Sequence, residues 1–147
     1  MGKYWELDEG SERVDSARFF EALWKHFPGA TTFYAEGTSI ARDVTNCYRQ
    51  HAEEGKYLPA AQTLFPRSAK FRCRFSAEFA SALSGLAQRH AERELLDHLV
   101  VYKGSEELIF WHDAFANVLL VDSSVPEHVV RAFAADLGLP YTRGRAG

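Results

Sequence analysis

Between His98 and Asp122 three short apolar runs, HLVVYK, ELIFWHDAF and NVLLVD, are divided by a break at Gly104-Ser105 and a longer turn from Asp113 to Asn117. Val100, Val101, Tyr102, Ile109, Phe110, Trp111, Val118 and Val121 are β-branched or aromatic and suit a pleated, half-buried surface. This spacing predicts a three-stranded antiparallel meander. Its middle run puts Leu108, Phe110 and His112 on one face and Ile109, Trp111 and Asp113 on the other. Both faces are apolar, so cover is expected on both sides.

Upstream, helical and strand patterns alternate. Phe19, Phe20, Leu23, Trp24 and Phe27 recur at helical spacing up to Pro28-Gly29. Residues 31–35 read as a strand, followed by a helix carrying Ile40, Val44, Cys47, Tyr48 and His51. A phosphate site at its N-terminus is disfavoured by a single glycine, no lysine and nearby Glu36. Lys70 to Phe75 alternates, with Lys70, Arg72 and Arg74 as a basic stripe that suits a solvated face or a guarded sheet edge. Phe79, Leu83, Leu86 and Ala87 mark a third helix. Ser124 to Glu127 reads as a capping box before the last helix, which Gly138 stops. Residues 1–13, with Tyr4, Trp5 and Leu7, read as a lead-in, residues 56–69 as a long irregular connection and 141–147 as a tail.

The expectation is an α+β fold formed by residues 1–147 as a single domain. It has a largely antiparallel sheet of about five strands, made mixed if the β–helix–β unit near residues 31–75 is a parallel crossover, with four helices packed on it. The expected core includes Phe20, Trp24, Phe33, Val44, Phe71, Leu83, Val101, Phe110, Leu120 and Phe133.

Composition narrows the function classes. At 147 residues, 46% hydrophobic and 14% aromatic, the chain can build a real core. A net charge of −3 gives no global basic field for nucleic acid. Cys47 and Cys73 suit two buried, reduced thiols. No run approaches the length of a membrane span, and MGKYWELDEG lacks the pattern of a signal peptide. A cytoplasmic protein acting on neither membrane nor nucleic acid is expected, and no cofactor is implied. The oligomeric state is left open, a homodimer included.

One stretch carries the chemistry. Beyond Leu86 the helical phase changes: His90, Glu94 and Asp97 continue the Phe79 stripe while Leu95, Leu96 and Leu99 fall nearly opposite. Either the helix breaks near residues 91–93, or polar groups face inward. On one helix His90, Glu94 and His98 could supply three metal donors, although Arg89 and Arg93 would repel a cation and no HExxH motif is present. A salt-bridged helix face is the plainer reading. His112, at the end of a strand, could serve as a general base oriented by Asp97 or Glu94. Asp113 points to the opposite face from His112 and reads as a turn former.

Two functional classes follow. The first is a non-enzymatic binding or regulatory protein, of the partner-binding or toxin-neutralising kind, recognising a protein or small ligand. Its contact residues would come from His90, Glu94, His98, Trp111, His112 and Tyr57. The second is a small hydrolase or metal-dependent enzyme built on the 90–98 segment with His112.

Overall fold

The computed structural model of the protein describes residues 3–8, 14–53 and 68–144. The order of elements is β1 (Tyr4–Leu7), α1 (Ser16–His26), β2 (Thr32–Gly37), α2 (Arg42–Gln50), β3 (Ala69–Arg74), α3 (Ala77–Ala87), α4 (Glu92–Leu95), β4 (His98–Lys103), β5 (Glu106–Trp111), β6 (Leu119–Asp122), α5 (Glu127–Leu137) and β7 (Tyr141–Arg143). The seven strands form one sheet in the order β3-β2-β4-β5-β6-β1-β7. Every pairing is antiparallel, including β2 with β3 across α2, so the mixed-sheet expectation is overturned.

The β4–β5–β6 meander is present. The strand count rises from about five to seven because β1 and β7 join it. β1 sits between β6 and β7, so the lead-in supplies an interior strand. Runs of three or four residues carry too little periodicity to be read before their partners are known.

Side chains alternate across a strand, and two adjacent cross-strand rows show how differently the faces are used. Cys73, Phe33, Val101, Ile109, Val121 and Trp5 run from β3 to β1 on one face, all buried. Helices cover this face. Phe20 and Phe79 pack on Phe33, and Phe19 packs on Trp111. Tyr48 of α2 packs on Phe71, and Trp5 donates its indole N–H to Val125 O at 3.0 Å. Each fully buried side chain of this kind contributes about 1.5–3 kcal/mol.

The neighbouring row, Arg72, Tyr34, Val100, Phe110, Leu120 and Glu6, lies on the outer face. Tyr34 and Val100 are buried but belong to no part of the helix-side core, while Phe110 and Leu120 are partly exposed. Among the described residues no helix packs on this face. Phe110 and Leu120 therefore leave the expected core, while Trp24 and Phe71 lie partly buried at its margin. A bulge in the β4–β5 pairing also buries Leu108 beside Ile109.

The third helical run does break. α3 ends at Ala87, α4 starts at Glu92, and the re-aimed chain buries Leu95 and Leu96. α5 begins at Glu127 with Pro126 as its cap; the Ser124 hydroxyl donates to Asp122 instead of forming the expected box. Gly138, at φ 70°, closes α5. No described helix is long and apolar enough to cross a membrane.

Candidate functional site

Polar groups converge at the end of the outer face where β2 and β5 finish and β4 begins. Glu36 pairs in register with His98 across β2 and β4, and with Lys70 across β2 and β3. Glu36 is fully buried and accepts a 2.6 Å hydrogen bond from the Tyr34 hydroxyl two residues earlier on the same face. His98 is 3% exposed, and its Nε2 stands 3.8 Å from the other Glu36 oxygen. Its Nδ1 accepts the backbone N–H of Asp113 at 3.0 Å. That bond places the ring proton on Nε2, facing Glu36.

Asp113 reaches this position because the chain turns sharply after β5. It adopts φ 50° and Phe115 φ 68°, a left-handed conformation that side chains other than glycine rarely take. The Ala114 N–H is fixed to Asp97 O at 2.8 Å, and the Asp97 N–H to Glu36 O at 2.7 Å. The turn folds the Asp113 carboxylate back, 3.9 Å from His98 Nδ1 and 3.6 Å from His112 Nε2. Strict alternation set His112 and Asp113 on opposite faces; the positive φ overturns that expectation.

The His112 ring stacks on that of His98 with centroids 4.3 Å apart and planes 4° from parallel. Burial, and then the neighbouring His112, hold His98 below the ordinary imidazole range, against the opposing pull of Glu36 and Asp113. His98 is therefore neutral near pH 7. Burial first, then Glu36, raises the Tyr34 phenol, which stays protonated and donates. The outcome is a line from Tyr34 through Glu36 and His98 to the Asp113 amide, with His112 and the Asp113 carboxylate at its open end.

The other sequence candidates are dispersed. His90 sits after α3 with Nε2 2.8 Å from an Asp43 oxygen and Nδ1 3.4 Å from Glu94. Glu94 also accepts the Ala91 N–H at 2.9 Å. His90 and Glu94 thus face α2, while His98 turns onto the sheet, so the three proposed metal donors are not brought together. Asp97 accepts the Thr38 N–H and hydroxyl at 3.0 and 3.1 Å, so its carboxylate is engaged by the turn before α2. Trp111 is buried beneath the helices and donates to Asn117 O at 2.8 Å. Tyr57 lies outside the described residues.

Sequence reading passed over Tyr34, Glu36 and the carboxylate of Asp113. The signal for Glu36 was a lone acid closing an otherwise uncharged strand run. Cys47 and Cys73 are free and buried; burial pushes their thiols up to about 11 and about 12, which leaves them protonated and unreactive. No family model matches the chain, and no curated protein or solved structure matches it significantly.

Proposed function

We propose that this protein is a binding module whose recognition surface is the outer face of the sheet, centred on Phe110 and Leu120. The observation that supports this most is the asymmetry of packing: among the described residues the helices cover one face, while on the opposite row Phe110 and Leu120 stay partly exposed. Tyr102 and Tyr4 extend the partly exposed strip on either side. Exposed aromatic and aliphatic groups on a rigid sheet serve as anchors at protein interfaces.

Charge selects the partner. Glu6, Glu107 and Asp122 border the strip on the β5–β6–β1 side, and the Asp113 carboxylate lies at its end. On the other side Arg72 is already paired, 3.2 Å from Glu53 and over the Tyr102 ring. The complement is a protein with an apolar centre and a basic rim, held by a salt-sensitive contact.

Site-specific photo-cross-linking tests this reading. A photoreactive phenylalanine analogue is placed at position 110 or 120, and at exposed Ala132 on α5 as control, in an extract of the source cells. The expected result is one adduct with a basic protein, formed from 110 and 120, absent from 132 and weakened by high salt. Equal labelling from 132, no adduct, or an adduct of twice the chain mass contradicts it.

A further inference from the structure

We propose that His98 Nδ1, His112 Nε2 and a carboxylate oxygen of Asp113 form a binding site for a divalent transition-metal ion of the zinc class. It shares the Asp113 carboxylate with the end of the partner-binding strip but rests on separate observations. The three residues offer donor atoms that all lie within 4.8 Å of one another. Zinc bonds of about 2.0–2.2 Å in tetrahedral geometry bring donors to about 3.3 Å apart. The two residues that must close that gap, His112 and Asp113, have side chains 45% and 61% exposed, whereas His98 is fixed.

A second observation is independent of the donor spacing. Histidines that ligate metals commonly turn their remaining N–H to a carboxylate, which orients the ring and raises its basicity. His98 is placed for such backing: its Nε2 faces Glu36 at 3.8 Å, a short shift from a hydrogen bond, and Glu36 is anchored by Tyr34. Glu36 and Asp97 add negative charge near the donors, and Lys70, in register with Glu36, offsets part of it. Arg89 is paired instead with Asp43 at 3.7 Å, in the separate His90 group.

Loading requires a local rearrangement. Imidazole lone pairs lie in the ring plane, so the half-exposed His112 ring must tilt out of its parallel stack on the fixed His98 ring for both to converge on one ion. The Asp113 N–H must also leave His98 Nδ1, releasing the left-handed turn. Three protein donors leave a fourth position for water or a ligand.

The test uses the full chain, stripped with a chelator and titrated with Zn²⁺ alone, with Co²⁺ as a spectroscopic replacement. One ion per chain is expected, with tetrahedral Co²⁺ absorption and a shifted Asp113 amide resonance. His112→Ala and Asp113→Asn alter exposed or half-exposed side chains, so they should fold, and their unfolding midpoints check this. Each should weaken binding at least tenfold, and Tyr34→Phe about tenfold through the carboxylate behind His98. His90→Ala should change nothing. Failure to take up Zn²⁺, uptake indifferent to His112→Ala, or uptake lost with His90→Ala overturns the site.

Discussion

The imidazole of His98 lies flat against that of His112, 4.3 Å between centroids, with Glu36 behind the first ring and solvent beside the second. A buried neutral base thus touches a half-exposed one at the mouth of the polar line. The arrangement depends on a turn that no unconstrained chain would favour.

That turn gives the first prediction. Asp113 holds φ 50° without being glycine, and a left-handed conformation costs an ordinary residue about 1–2 kcal/mol, less for Asp. Asp113→Gly is expected to leave stability unchanged or raise it by up to about 1 kcal/mol, measured by urea unfolding. A loss above about 1 kcal/mol would show the carboxylate to be structural.

Tyr34 is the described donor to a buried carboxylate oxygen of Glu36. Hydrogen bonds to charged groups contribute about 1.5–3 kcal/mol. Tyr34→Phe should lose that much stability in chemical unfolding while keeping the far-ultraviolet spectrum. An unchanged midpoint would mean that the hydroxyl does not hold Glu36.

Ile109 and Phe110 are chain neighbours on opposite faces. Ile109 is 1% exposed in the helix-side core, and truncating such a residue to alanine costs about 2–5 kcal/mol. Phe110→Ser on the outer face should cost less than about 1.5 kcal/mol and abolish the cross-link formed from position 120. Equal losses for the two variants would make the outer face a second core.

How much of this was legible varies element by element. The meander and the break between α3 and α4 could be read because each spans enough residues for a period, or a change of period, to show. β1 and β7 could not, since their identity as strands comes from pairing across the whole chain length. Phe110 and Leu120 looked like core because periodicity reports that a face is apolar, not whether anything covers it. His98, His112 and Asp97 read as one neighbourhood in the sequence, but their organiser, Glu36, lies 62 positions before His98 and meets it only through β2–β4 register. Alternation puts Asp113 on the wrong face because it ends where the positive φ begins.

The His90 group governs a pH response of its own. Its hydrogen bond to Asp43 raises His90 above the ordinary 6.5 and holds Asp43 below the ordinary 3.8. The raised base contributes stability below 6.5 and loses it as pH climbs through its folded value. The lowered acid contributes above 3.8 and loses it as pH falls through its folded value. Asp43→Asn should therefore reduce the urea midpoint most near about pH 5, with the difference shrinking on both sides. A difference constant with pH would rule the pair out as its source.

The proton on His98 is the most direct measure of how the site is assembled. Nitrogen-15 spectra of the imidazoles, taken near neutral pH on chelator-treated protein, distinguish the ring nitrogens. A neutral His98 protonated on Nε2, with Nδ1 coupled to the Asp113 amide, is the predicted result. An Nδ1-protonated ring, or an imidazolium, would break the line from Tyr34 to Asp113 and contradict it.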